Sequence, residues 1–364
     1  MKIGILTFHA AHNYGAALQC YALKSFLTSL GNDVAVIDYR PEWMIQGHKW
    51  MRKENFISYN IFRTIAKSLR EFTVLPYRRS RYIKYENFIS KNLNLKDIES
   101  INSAPYDLII VGSDQVWNTK ITRGFDKYYW GAFKKPNNTK LISYAASMND
   151  HFSDEQIEII KNNIGNFSEI SVREKGAIKS LNPYLHDKKI ISVVDPVLLV
   201  NRQRWDELAK KPQVNYEYVF LYQVEKNSLS VRIAQLLAAK LGCRIVTLSA
   251  RVEDANTRVV RASSPEEFIG LFKYAKAVVC SSFHGTMFSL IYNRPFYSIK
   301  MNKDKDNRVG NILNILNLEK RFVDDEKLID FEYKFDWNLI NNKLSQLTDV
   351  SMNYLKNNCE YDLR

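Results

Sequence analysis

The sequence predicts an α/β protein of two parallel-sheet units facing each other across a cleft, with a basic, aromatic-rich helical insertion in the first unit. Three observations carry that expectation. Near-continuous apolar runs of strand length alternate with segments of helical periodicity, the pattern of parallel sheets covered on both faces. This alternation continues to about residue 200, breaks over a polar stretch at 201–216, and then restarts. A length of 364 residues supports two domains, each large enough to bury a core.

Residues 2–8 read as a buried strand, 15–30 as a helix stopped by Gly31, and 34–39 as the next strand. Shorter strand-like runs follow at 107–111, 141–144, 169–172 and 190–194, with helical segments at 154–163 and 174–181. The second unit offers strands at 218–223, 244–248, 277–281 and 296–299 and helices at 228–241, 265–274 and 285–292. Ser264-Pro265-Glu266-Glu267 has the form of a capping box with proline in the first turn, which fixes that helix start. The expected division is 1–205, 206–336, and a C-terminal helix in 337–364 that crosses back onto the first domain.

The net charge of +13 is unevenly placed. Within residues 44–96 twelve Lys and Arg face three Glu, so nine of the thirteen charges lie in one stretch, interleaved with Trp, Tyr and Phe. Ile57, Ile61, Ile65 and Leu69 recur at helical spacing, so part of it is expected to be an amphipathic helix. Three readings compete: a solvated helical face, a patch attracted to anionic lipid, and a nucleic-acid surface. No nucleic-acid motif accompanies the charge, and the third reading is the weakest.

Composition excludes several classes. A chain that is 46% hydrophobic and 25% charged is globular rather than disordered. No apolar run approaches the roughly 18 residues of a membrane span. MKIGILTF, followed at once by His9 and His12, reads as a strand and not as a secretory signal. Cys20, Cys243, Cys280 and Cys359 are scattered without a CxxC pair, which fits a reducing cytoplasm and neither a disulfide framework nor a zinc site.

Ligands of such a fold are expected at the carboxyl ends of the strands, and four loops there carry chemistry. The loop at 9–16 lacks a dinucleotide fingerprint but places Asn13, Tyr14 and Gly15 at a helix start, as an anion site or simply as a polar cap. Asp114, Gln115 and Trp117 follow a strand; carboxylate, amide and indole suit a sugar, or else cap a helix and fill a core. Arg173 ends another strand, where its planar fork suits carboxylate or phosphate, or a salt bridge to Glu174. Cys280-Ser-Ser-Phe-His-Gly-Thr286 brings an imidazole and the Gly285 and Thr286 amides to a helix N-terminus; His284 is a candidate general acid–base or a helix cap.

Taken together, HNYGAALQCYAL, VGSDQVWN, SYAAS, SVREK, DPVLL, SPEEFIGLFKYAKAVVCSSFHGT and NRVGNILNILNL resemble the polysaccharide pyruvyl transferase family, in order and over most of the chain. The resemblance implies two Rossmann-like domains arranged like a GT-B glycosyltransferase. It implies transfer of pyruvate from phosphoenolpyruvate to a hexose of galactose type in a surface-polysaccharide precursor, forming a ketal and releasing phosphate, without metal or organic cofactor. It makes His284 essential and Arg173 a donor contact. Some members carry Arg two places before that His, where this chain has Ser282. Donor binding then falls to Arg173, Ser282, Gly285 and Thr286, with Lys300, Lys303 or Arg308 supplying the missing cation. Asn13, Tyr14, Gly15, Asp114, Gln115 and Trp117 are the expected acceptor contacts. The acceptor is a lipid-linked or polymeric saccharide, the enzyme is cytoplasmic, and the 44–96 insertion is the expected contact with the inner membrane face. The rival readings are a nucleotide-sugar glycosyltransferase on the same architecture and a non-catalytic glycan- or membrane-binding protein.

Overall fold

A computed structural model of the chain describes residues 1–46, 49, 61–103, 106–148, 153–185, 188–225, 227–248, 257–301 and 303–360, with backbone alone for 61–71 and 303–307. The first sheet contains β1 (Lys2–Leu6), β2 (Asp33–Asp38), β3 (Leu95–Asp97), β4 (Leu108–Val111) and β5 (Lys140–Ser143), all parallel, in the order β3-β2-β1-β4-β5. A parallel pair, β6 (Ile170–Val172) and β7 (Ile190–Ser192), continues it through single bridges from Ile142 to Glu169 and from Ala146 to Val172. The second sheet contains β8 (Tyr218–Tyr222), β9 (Arg244–Thr247), β10 (Thr257–Val259), β11 (Ala277–Cys280), β12 (Phe296–Ile299) and β13 (Phe322–Val323), again all parallel, in the order β10-β9-β8-β11-β12-β13.

The central strands are buried on both faces, which is why LIIV, YVFLY and AVVC read as unbroken apolar runs and not as alternation. In each sheet the chain starts at the centre, winds outward on one side, then returns to wind outward on the other. The reversal separates the loops after β1 and β4, and those after β8 and β11, leaving a crevice at the carboxyl ends of the strands. These are two Rossmann-like domains in a GT-B-like arrangement. Strands β3, β10 and β13, of two or three residues each, are the ones the hydrophobic pattern did not reveal. An edge strand that short carries too few apolar residues to register as a period.

One apolar core runs through both domains. Ile3 and Ile5 of β1 share it with Tyr218 and Phe220 of β8 and with Phe268, Phe288 and Tyr354. Across the boundary the Tyr14 ring lies flat on Phe268 with centroids 4.2 Å apart, while Trp205 meets Phe288 edge-on at 5.1 Å. The helix Trp337–Cys359 packs on the first domain, where Tyr354 donates to the Ser143 carbonyl at 2.9 Å and Ser351 Oγ accepts from Val194 N at 2.9 Å.

Part of the insertion is a single long helix, Ile61–Asn92. Its basic residues do not form one outward face. The Arg81 guanidinium sits 5.4 Å from the Tyr14 ring and 5.3 Å from the Tyr85 ring and donates to the His12 carbonyl. Lys84 reaches the second domain, bonding Glu267 at 2.7 Å and the Ala262 carbonyl at 2.8 Å. The expectation that the insertion's charge faces a membrane is therefore corrected at Arg81 and Lys84, which are partly buried and tied to other parts of the fold. The expected contacts at residues 47, 48 and 50–60 and the side chains of 61–71 lie outside the described residues. Among the described residues no helix is long and apolar enough to cross a membrane.

Candidate active site in the interdomain cleft

The crevice contains a cavity of about 170 Å³ at the meeting point of the two chain reversals. From the first domain, Asn13 follows β1, and Asp114 and Gln115 follow β4. The second domain supplies Val224 and Glu225 after β8, Ser281 to His284 after β11, Met301 after β12, and Arg308. Each helix start here is capped from within. Asn13 Oδ1 accepts from Gly15 N at 2.9 Å, which opens the helix Tyr14–Ser29. Ser282 Oγ accepts from Gly285 N at 3.4 Å, and its carbonyl accepts from Thr286 N at 3.0 Å, opening the helix Phe283–Ile291. Asp114 holds φ = +72°, a left-handed conformation that is costly for a residue with a side chain and concentrates at functional sites.

His284 is the centre of the arrangement. Its ring is pressed against Gly15, where a Cβ would stand 2.1 Å from Nδ1, so only glycine admits the imidazole at that approach. On the other side Nε2 points to Asp195 Oδ2 at 3.5 Å and has no hydrogen-bond partner among the described residues. Asp195 is fully buried; it also accepts from Arg173 Nη1 at 2.7 Å and from Val197 N at 3.1 Å. Burial alone would raise its pKa, but His284, Arg173 and the Val197 N–H outweigh that and hold the carboxyl below its ordinary range. Asp195 is thus a fixed anion behind the imidazole.

Arg173 is enclosed by acids. Nε bonds Glu174 at 3.2 Å, Nη1 bonds Asp195, and Nη2 lies 3.9 Å from Asp114. Nη2 and Glu174 Oε2 are buried without hydrogen-bond partners among the described residues, while Glu174 Oε1 accepts from Ser147 at 2.7 Å. The Phe283 ring is near two cations, with Arg173 at 5.0 Å and Arg308 at 5.9 Å. Arg308 has no carboxylate partner among the described residues; burial, and then repulsion from Arg173, lower its pKa. A half-buried guanidinium with no acid partner among the described residues favours an incoming anion.

Several sequence-based assignments change. Arg173 does not line the cavity: Nε and Nη1 are engaged by Glu174 and Asp195, and Nη2 is buried behind the wall. Tyr14 is buried at the domain boundary with its hydroxyl on the Ser263 carbonyl, and Gly15 is covered by His284. Trp117 is in the core, stacked on Trp130 at 5.0 Å with its indole N–H on the Tyr129 carbonyl, so it offers no face to a sugar. The Gly285 and Thr286 amides are already taken by Ser282, and the Thr286 hydroxyl bonds Ser298 at 2.7 Å. Lys300 is not among the residues lining the cavity and pairs with Asp324 at 3.1 Å. The side chain of Lys303 lies outside the described residues. Asn13, Asp114, Gln115, Ser282, His284 and Arg308 remain together on the cavity wall. Asp195 and Ser147 were missed as site residues although the DPVLL and SYAAS runs contain them, and Glu174 was read only as a salt-bridge partner of Arg173.

The family model for polysaccharide pyruvyl transferases matches residues 13–302. No curated protein sequence matches. Among solved structures, the glycosyltransferase SnogD from Streptomyces nogalater has a TM-score of 0.46 at 13% identity, covering 98% of this chain and 99% of that one. An S. aureus MnaA–UDP structure gives 0.48 at 10% identity, covering 100% and 96%. The E. coli heptosyltransferase WaaC with ADP gives 0.42 at 14% identity, covering 85% and 90%.

Proposed function

The chain belongs to the polysaccharide pyruvyl transferase family, and from that premise we propose that it transfers pyruvate from phosphoenolpyruvate to two hydroxyls of a hexose, galactose-like, in a surface-polysaccharide precursor. One observation supports this reading most directly: an imidazole and an arginine that has no acid partner among the described residues share one cavity wall at both chain reversals. Phosphoenolpyruvate carries a carboxylate and a phosphate. Arg308 answers that charge and takes the part of the cation absent at Ser282. A proton added to the methylene carbon makes the adjacent carbon electrophilic, and a sugar hydroxyl attacks it. The bond to phosphate then breaks, the second hydroxyl closes the ketal, and phosphate leaves with the remaining proton. His284 is the proton carrier, giving a proton to carbon and taking one from a hydroxyl. Asn13, Asp114 and Gln115 orient the sugar.

The test is phosphate release from phosphoenolpyruvate across a panel of lipid-linked sugars, alongside protection against heat. Protection by phosphoenolpyruvate and not by uridine nucleotides supports the reading; the reverse supports a nucleotide-sugar glycosyltransferase. Arg308→Ala is expected to raise the donor KM about 30-fold, the loss of a charge-assisted contact worth about 2 kcal/mol. An unchanged KM removes Arg308 from the donor site.

Peripheral membrane contact belongs to this proposal in narrower form. On the long helix Phe72 (63% exposed) and Ile83 (45% exposed) lie beside Leu75, Pro76 and Arg79. Apolar side chains beside a cation suit an anionic lipid surface. Co-sedimentation with anionic liposomes that survives Phe72→Ser with Ile83→Ser removes this patch as the contact.

A further inference from the structure

We propose that Asp195 is the positioning residue of the site. From the first domain it faces the imidazole that the second domain supplies, and it dictates which of that ring's nitrogens carries hydrogen. The inference rests on His284 being the proton carrier proposed above. It stands on three features of the geometry. The carboxylate is fully buried; Oδ2, the oxygen that faces the ring, also accepts from Arg173, and Oδ1 accepts from the Val197 N–H, so it cannot turn away. Nε2 is enclosed and meets no other acceptor among the described residues. Gly15 packs against the Nδ1 side of the ring, which fixes the ring plane, and His284 lines the cavity.

A carboxylate only accepts hydrogen bonds, so it demands N–H at Nε2 and thereby leaves Nδ1 as the nitrogen that exchanges a proton with substrate. Among the described residues the other charged groups of the cluster and the cavity are Arg173, Glu174, Asp114, Glu225 and Arg308, and Asp195 alone is within ion-pair distance of the ring. At 3.5 Å the contact is longer than a strong hydrogen bond, as catalytic pairs often are before substrate binds. The pairing is prepared in advance by the apolar boundary, with Tyr14 on Phe268 and Trp205 on Phe288. Because the acid and the imidazole come from opposite domains, the site exists only in the joined molecule.

The experiment is nitrogen-15 NMR of histidine-labelled whole protein, with the His284 signals assigned by their loss in His284→Gln, together with kinetics of Asp195→Asn. In the wild type the hydrogen of neutral His284 is expected on Nε2; in Asp195→Asn that preference disappears. The kcat for donor turnover is expected to fall at least about 100-fold while the donor KM changes less than about threefold. Gly15→Ala, which displaces the ring without removing a charge, is expected to abolish the Nε2 preference as well, and it serves if Asp195→Asn does not fold. Hydrogen found on Nδ1 in the wild type overturns the inference, as does an unchanged His284 spectrum in Asp195→Asn or a kcat within threefold of wild type. A wild type that never turns over phosphoenolpyruvate defeats the pyruvyl-transfer reading instead, and the spectra still decide the role of Asp195.

Discussion

Two clusters in this molecule use the same three side-chain types, histidine, carboxylate and arginine, with opposite outcomes. In the first domain, His9 Nε2 meets Asp38 at 2.7 Å, Arg40 bonds both Asp38 and Glu86, and His12 closes the chain on Glu86 at 2.8 Å. In the cleft, His284 stands 3.5 Å from Asp195, and Arg173 and Glu174 each keep a buried polar atom without a hydrogen-bond partner among the described residues. The first cluster is short and paired throughout, and it lines none of the described cavities. The second is loose, spans two domains and adjoins one. A closed network of this kind rigidifies the fold. Buried groups left short of partners cost stability and call for another explanation, and here the adjacent cavity supplies it. Residue types alone do not separate the two clusters; their satisfaction does.

The largest expected effect comes from the cleft. His284→Ala is expected to lower kcat about 10³-fold, within the range for loss of a general acid–base, while the melting temperature stays close to wild type. Retention of near wild-type kcat breaks the contrast. The second effect is on the closed cluster. His9→Ala removes a buried partner of a charged carboxylate and is expected to cost about 2 kcal/mol of stability, read from denaturant midpoints, with kcat within about threefold of wild type. A loss of kcat without a loss of stability shows that the closed cluster also works in turnover. The smallest effect concerns acid. Burial would raise the Asp38 pKa, but hydrogen bonds from His9 and Arg40 outweigh it and bring it to about 2. A depressed carboxyl stabilises the fold above the ordinary carboxylate range and loses that contribution as pH falls from about 4 towards 2. The melting-temperature gap between wild type and Asp38→Asn, a few degrees near neutrality, is therefore expected to close over that interval. A constant gap shows that Asp38 acts through packing.

The same contrast explains what could be read from the sequence. Buried parallel strands announce themselves as apolar runs, so the central strands and the loops after β1, β4 and β11 were legible. The direction of a ring within such a loop was not. Trp117 and Tyr14 lie in the right loops, yet one turned to its own core and the other to the domain boundary. Ser282 read as a missing arginine and is also the cap that occupies the Gly285 and Thr286 amides. Asp195 was hidden because its meaning depends on a histidine far along the chain, brought near only by tertiary packing.

The helix Trp337–Cys359 has a consequence for how the protein is made. Ser143 and Val194, both in the first domain, receive their partners from Tyr354 and Ser351, among the last described residues to leave the ribosome. Domains usually fold in order of synthesis. Here the first half must wait for the second to be translated before its own packing is complete. The time between starting and finishing the first domain is set by the length of the other.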